Sequence, residues 1–189
     1  CVLHDAAALA SYGTTAMEGG LFHIFNHAMY KGLLFLAVGA VIYRTGVWTI
    51  NKLGGLGHNM KWTMIFFLIG AFAIAGIPPF NGFASKLMIY ESVFAFSPVL
   101  SIIAMVVSIL TLASFMKVFH SLFLGPKQTE YAAVKEAPKP MILGMIILTV
   151  FVVVLGIFPD FFVETLVAPA ADALLNSGTY LSAVLGGAL

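Results

Sequence analysis

Long runs of apolar residues dominate this chain and predict membrane-spanning helices. A spanning helix needs about 20 mostly apolar residues, because the hydrocarbon core of a bilayer is about 30 Å thick. Five segments meet or approach this requirement, with few polar residues to interrupt them. We predict spans over residues 20–43, 62–77, 82–97, 98–123 and 140–159. The pattern therefore predicts an all-α, polytopic transmembrane helical bundle.

The second and third spans are separated by a predicted break in the helix. Pro78, Pro79 and Gly82 interrupt a run that contains no charged residue from 62 to 85. Proline lacks a backbone donor and restricts the residue before it, so the second helix should end near Ile77. Non-helical backbone at membrane depth is tolerated only inside protein or beside a water-filled cavity. Transporters place such breaks at ion sites, and the break therefore marks a candidate site for ions or protons.

The predicted spans define the organisation of the chain. Residues 1–19 form a pre-span segment or loop, residues 20–160 form the transmembrane domain, and residues 161–189 form an amphipathic or interfacial tail. Three predicted spans separate loop 44–61 from loop 125–139, and this odd number places the two loops on opposite faces. Each loop holds three Lys or Arg, so positive charge does not choose an orientation. The tail has acidic residues but no Lys or Arg, which favours placing it outside.

Composition supports a membrane protein and excludes several other classes. Hydrophobic residues make up 61% of the 189 residues and charged residues 9%, whereas a soluble domain carries roughly 25% charged residues. A net charge of +1 gives no basic field to attract nucleic acid. One cysteine excludes a disulfide framework and a multi-cysteine metal site. Cofactor motifs are also lacking, so we expect no cofactor, no metal and no catalytic centre in this chain.

The start of the chain suggests a longer protein. It opens on Cys1 rather than Met, and residues 1–19 contain neither a cationic leader nor a long apolar core. We therefore expect these residues to be the C-terminal portion of a larger polytopic protein.

Three ionisable residues lie on one stripe of the first predicted helix. His23, His27 and Lys31 are spaced by four residues, and each such step advances about 40° beyond a full turn. Ionisable groups within spans are costly and usually face a bundle interior, a partner or water. Histidine exchanges protons near neutral pH, so the stripe favours a segment of a proton path. The alternative is packing or snorkelling, although Lys31 lies deep within its span.

Other charged or ionisable residues fall within the later spans. Lys86 follows the break by four residues, which favours a relay point over an interfacial lysine that ends a short helix. Glu91 lies about 140° around the same helix from Lys86, so it is a poor direct partner and stays open as a relay or as a contact with another helix. Lys117 and His120 share one face of the fourth helix, where a proton path and snorkelling remain alternatives.

Two sequence motifs resemble a known family of membrane subunits. The first is LFHIFNHAMYKGLLFLAVGAVIYRTG, which is similar to the signature H-x-x-x-H-A-x-x-K-x-x-L-F-x-x-x-G. The second is GIPPFNGFASKLMIYES, which resembles the stretch G-x-P-P-x-x-G-F-x-x-K. Both signatures are typical of the antiporter-like subunits of respiratory complex I, Mrp-type sodium/proton antiporters and membrane-bound NiFe hydrogenases. SFMKVFHSLFLG is similar to the end of the following helix, and the resemblance covers roughly residues 15–160.

The resemblance implies a fold and roles for individual residues. The chain looks like the last five core helices of the fourteen-helix antiporter-like fold. Lys31 then corresponds to the central lysine of the second half-channel, and Lys86 to the terminal relay residue on the discontinuous helix. His23 and His27 correspond to bridging histidines of the central hydrophilic axis. The first repeat of the fold, with its glutamate and lysine pair, is not matched by these residues.

The resemblance also implies a function. The leading hypothesis is the C-terminal half of a proton-translocating subunit in a redox-driven respiratory complex, in the plasma membrane of a prokaryote rather than an organellar inner membrane. Antiporter-like and redox-arm subunits would be its partners, and iron–sulfur clusters with NiFe or flavin and quinone would sit only in those partners. The first alternative is a component of an Mrp-type antiporter without a redox partner. Whether sodium is transported as well as protons stays open. The second is a non-conducting scaffold.

Overall fold

Helix α1 is the longest element, and most of the other helices pack along it. The computed structural model describes residues 6–126 and 128–175. Within those residues it contains helices and turns but no strand, which confirms the predicted all-α class. The helices are α1 (Ala6–Thr45), α2 (Lys61–Ala75), α3 (Asn81–Phe96), α4 (Pro98–Phe123), α5 (Lys139–Ile157), α6 (Pro159–Phe162) and α7 (Ala168–Leu175), with a π-helical turn (Val163–Val167) between α6 and α7.

Three of these helices are long and apolar enough to cross a bilayer. They are α4, α5 and the stretch Gly13–Thr45 of α1, whereas α2 is apolar but shorter. Helix α1 begins at Ala6, so residues 6–19, predicted to precede the first span, already belong to it. Helix α2 ends at Ala75 because Gly76 adopts a left-handed conformation, with a φ of 82°, and closes the last turn. The predicted end near Ile77 is therefore displaced by a glycine cap.

Helices α2 and α3 follow each other along α1 in the same direction. Leu34 of α1 lies so close to Gly70 of α2 that a Cβ there would be 2.9 Å from the Leu34 Cγ. Further toward the start of α1, Gly19 lies against Met88 of α3, where a Cβ would be 3.1 Å from the Met88 Cβ. The chain thus runs in one direction along α1 and in the opposite direction through α2 and then α3. The two helices together form one crossing with a break in the middle.

The two polar loops lie on the same face, contrary to the sequence prediction. The side chain of Arg44 donates to the main-chain oxygen of Glu136 at 2.8 Å, and Asn59 donates to the oxygen of Tyr131 at 2.7 Å. Thr63, in the first turn of α2, donates to the Glu136 carboxylate at 2.7 Å. The prediction was wrong because it counted the two halves of the broken helix as two crossings.

The apolar core lies where α1, α2 and α4 meet near the loop face. Phe67 of α2 stacks on Phe119 of α4, with ring centroids 6.3 Å apart, and also contacts Phe123. The outward faces of α4 and α5 expose large aliphatic side chains, among them Ile109 and Val150. Apolar surface of this extent suits contact with lipid or with other membrane helices. The broken crossing, in contrast, packs against α1, α4 and α5.

Candidate proton site at the helix break

Two glycines allow α3 to begin directly against the end of α2. A Cβ at Gly82 would overlap the main-chain oxygen of Ala73, so only glycine fits this contact. A Cβ at Gly76 would lie 2.8 Å from Cδ of Lys86. The stem of Lys86 therefore passes over Gly76 on its way to the last turn of α2.

Lys86 lies at the open end of α2. Its Nζ donates to the main-chain oxygen of Ile74 at 2.8 Å and to Oγ of Ser108 at 2.9 Å. The last carbonyls of a helix have no intrahelical donor and carry partial negative charge. An ammonium group placed there is stabilised without a carboxylate partner. The break thus supplies two oxygen acceptors to the amino group of Lys86.

The hydroxyl groups of Ser108 and Tyr90 continue from Lys86 into the space between α3 and α4. Oγ of Ser108 is hydrogen-bonded to the phenol oxygen of Tyr90, one turn after Lys86 on α3. Ser101, two turns earlier on α4, donates to the main-chain oxygen of Tyr90 at 3.0 Å. The spacing of Ser101 and Ser108 in the otherwise apolar first half of α4 is a signal that sequence analysis missed, since residues seven apart share a helix face.

An asparagine pair joins the start of α3 to α1. The Asn26 side chain donates to the main-chain oxygen of Asn81 at 3.0 Å, and the Asn81 side chain donates to Oδ1 of Asn26 at 2.9 Å. Both residues are fully buried. Amide groups removed from water are costly unless they are paired, so this reciprocal pair fixes where α3 begins.

The two histidines of α1 belong to one polar cluster. Nδ1 of His23 lies 3.0 Å from Oγ of Ser85, and Nε2 of His23 lies 3.4 Å from the hydroxyl of Tyr30. The ring of exposed His27 meets Tyr30 edge-on, with centroids 5.4 Å apart, and lies 6.2 Å from the His23 ring. His27, Tyr30, His23 and Ser85 thus form a continuous series. Ser85 precedes Lys86 in sequence, so the series reaches the same turn of α3 as the lysine at the break.

Lys31 lies apart from this cluster. Its Nζ is 5.6 Å from the ring centroid of Phe115 on α4, within range of a cation–π contact. The cleft around it is otherwise apolar and is lined by Leu34, Phe35, Val38, Phe67, Phe115 and Val118. The structure therefore brings His23 and His27 together beside Lys86 and turns Lys31 toward α4.

The remaining ionisable candidates are exposed. Glu91 borders a groove between α3 and α4, next to Tyr90. Lys117 and His120 lie on α4, toward the loop face. Among residues 6–126 and 128–175, no group of three or more His, Cys, Asp or Glu side chains could hold a metal ion.

Comparison with known proteins places the chain in a family. Residues 6–111 match the family of transmembrane regions described as NADH:quinone oxidoreductase/Mrp antiporter, TM. This chain belongs to that family. The matched stretch contains both motifs, the broken helix and the clusters around His23 and Lys86.

Members of this antiporter family resemble the chain in sequence and structure. It is 37% identical to a Na(+)/H(+) antiporter subunit of Bacillus subtilis (strain 168), over 90% of this chain and 23% of the relative. It is 36% identical to hydrogenase-4 component B of Escherichia coli (strain K12), over 74% of this chain and 22% of the relative. The Mrp complex of Dietzia sp. DQ12-45-1b superposes with a TM-score of 0.83 at 26% identity, over 94% of this chain and 41% of that one.

These coverages show that the chain spans less than a quarter of the curated relatives' length. The resemblance to antiporter-like membrane subunits, stated from the two motifs, is confirmed, and so is the membrane helical bundle.

Proposed function

We propose that this chain is part of an antiporter-like membrane subunit that translocates protons by way of His23, His27, Lys31 and Lys86. The observation that carries the proposal is the position of Lys86. Its ammonium group lies on the open end of α2, and Ser85, the residue before it in sequence, contacts His23. A charge placed at a helix break inside a membrane bundle is costly unless it serves an ion path.

The histidine cluster supplies groups that can accept and release protons in turn. Imidazole carries a donor and an acceptor nitrogen, and serine and tyrosine hydroxyls both accept and donate. In this proposal a proton enters at exposed His27, which meets Tyr30 by a ring contact, and continues along the hydrogen bonds from Tyr30 to His23 and from His23 to Ser85, in the same turn as Lys86. Lys31, held against Phe115, is a second charged group. Gain or loss of its proton would change the electrostatic potential along this path.

The source of energy divides the proposal into two forms. In the redox-driven form, predicted from the motifs, partner subunits carry the iron–sulfur, NiFe or flavin and quinone chemistry. The similarity to hydrogenase-4 component B supports this form. In the second form, the subunit exchanges protons against sodium within an Mrp-type assembly. The similarity to the Bacillus subtilis antiporter subunit supports this form.

We further propose that the two loops face the cytoplasm of a prokaryotic cell. Both loops lie on one face, so their Lys and Arg residues add. On the opposite face, the described residues in the last turns of α3 and in α6 and α7 include no Lys or Arg. Positive residues accumulate in short cytoplasmic loops. The tail then lies outside, as its acidic character suggests.

The test is proton translocation by the complete complex in inverted membrane vesicles. Lys31→Ala and Lys86→Ala should each abolish coupled translocation while the complex still assembles, whereas Lys52→Ala, at an exposed position of the first loop, should leave it unchanged. Normal translocation by Lys31→Ala and Lys86→Ala would refute the relay. Loss of assembly in Lys86→Ala with normal flux through the remaining complex would support the scaffold alternative.

Co-purification separates the two forms of the proposal. Iron–sulfur or nickel–iron absorbance that accompanies the chain supports the redox-driven complex. Sodium-dependent proton movement without such absorbance supports the antiporter.

A further inference from the structure

We propose that Ser108 and Tyr90 carry the proton onward from Lys86 and deliver it to Glu91 along the groove between α3 and α4. This inference rests on the proposed function and assigns the residues that follow Lys86. It concerns hydroxyl groups that the two family motifs do not single out.

The hydrogen bond between Lys86 and Ser108 has a fixed direction when Lys86 is charged. An ammonium group can only donate, so Ser108 accepts from Lys86 at 2.9 Å. The hydroxyl hydrogen of Ser108 is then free to point at the oxygen of Tyr90, with which it is in hydrogen-bond contact. Either hydroxyl can donate in this contact, and when Ser108 donates, Tyr90 directs its own hydrogen away from Ser108. In that arrangement Lys86 is the donor, Ser108 the relay and Tyr90 the exit.

The transfer balances at every step. Lys86 gives one proton to Ser108 and becomes a neutral amine. Ser108 gives its original hydroxyl proton to Tyr90, and Tyr90 gives its own phenolic proton to a water or to the Glu91 carboxylate. Each hydroxyl gains one proton and loses one, so neither holds a net charge at the end. Rotation of the two hydroxyls resets the chain before the next proton arrives.

The groove gives this relay a direction. Tyr90 and Met105 border two adjoining hollows in the surface. One hollow lies at the break, next to Gly76 and Ser108. The other lies farther along α3 and includes Glu91 and Ser101. Since α3 runs away from the loop face, the groove leads from Lys86 toward the face opposite the two loops.

Ser108 differs from two other serines of α4 in the partner of its hydroxyl group. Ser114 and Ser121 donate to the main-chain oxygens of Leu110 and Lys117, each four residues earlier, as serine usually does in an apolar helix. Ser108 instead reaches across to two side chains of α3. Ser101 also reaches across to α3, but it donates to a main-chain oxygen, whereas the two partners of Ser108 are side chains that can exchange a proton.

The first experiment removes the phenol oxygen and keeps the ring. Tyr90→Phe in the complete complex should lower the rate of proton translocation at least tenfold, measured by dye quenching in vesicles. Tyr43→Phe, on an exposed tyrosine of α1, is the matched control and should change nothing. Full activity in Tyr90→Phe would overturn the inference.

The second experiment uses Ser108 and guards against loss of folding. Ser108→Ala should reduce translocation as strongly as Tyr90→Phe, Ser108→Thr should restore most of it, and Ser114→Ala should behave as the parent. Equal loss in the Thr and Ala variants, with normal assembly, would overturn the relay and indicate a packing role. If Lys86→Ala abolishes flux while both Tyr90→Phe and Ser108→Ala keep it, the exit is wrong and the proposed function stands. If Lys86→Ala itself keeps full flux, the proposed function fails and the exit with it.

Discussion

The amino group of Lys86 lies 2.8 Å from the main-chain oxygen of Ile74, so a side chain of α3 stabilises the end of α2. The contact gives one residue two roles, because the group proposed to carry protons also holds the broken helix together. Any cycle in which Lys86 releases a proton changes the charge next to the carbonyls of α2. Proton release is thereby linked to the packing of the break.

We expect Lys86→Met to destabilise the assembled protein by about 1–3 kcal/mol, since a buried carbonyl loses its donor. Thermal unfolding of the purified complex would measure this as a lower midpoint. Lys117→Met, which changes the same side chain on an exposed part of α4, should leave the midpoint unchanged. An unaltered midpoint in Lys86→Met would show that the contact with Ile74 does not stabilise the break.

Ser85→Ala should slow proton translocation by up to about tenfold, because His23 loses a hydrogen bond worth about 0.5–1.5 kcal/mol and with it the contact that leads to Lys86. The matched control is Ser92→Ala, a buried serine of α3 that donates only to the main-chain oxygen of Met88. Initial rates in vesicles would compare the two. Equal rates in both variants would contradict a role for the contact between His23 and Ser85.

Gly82→Ala should destabilise the protein by about 1–3 kcal/mol or prevent assembly, because the new methyl group would overlap the oxygen of Ala73. Gly39→Ala is the control, since a Cβ at that helical glycine meets nothing within 4 Å. That substitution should be neutral or stabilising by about 0.4–1 kcal/mol. The amount of assembled complex and its unfolding midpoint would distinguish these outcomes, and a stable Gly82→Ala protein would refute the close approach of α3 to α2.

Cysteines introduced at Lys52 and Lys135 should react with a membrane-impermeant maleimide from the same side of the membrane. A cysteine at Glu164 should react only from the other side. The prediction follows from the hydrogen bonds that join the two loops and from the single broken crossing formed by α2 and α3. Labelling of positions 52 and 135 from opposite sides would restore the arrangement predicted from the number of apolar segments.

Much of the fold follows from local sequence. Apolar length predicted the helices α4 and α5 to within a few residues, since each needs only enough hydrocarbon-facing side chains to cross a bilayer. Pro78, Pro79 and Gly82 predicted the break, because these residues act on the backbone next to them. The residues around Lys86 were only partly foreseen. Ser108 and Tyr90 reach it from neighbouring turns and another helix, which no local pattern specifies.

The sequence by itself determined that this protein is a membrane helical bundle of the antiporter-like family, and it predicted His23, His27, Lys31 and Lys86 as the relay residues. Only the tertiary structure decided that α2 and α3 form one crossing, that both loops share a face, and that Lys31 is turned away from the histidines. The reason is physical. Hydrophobic length and backbone chemistry act within a segment, whereas the path of the chain and the partners of a buried charge depend on which helices pack against each other.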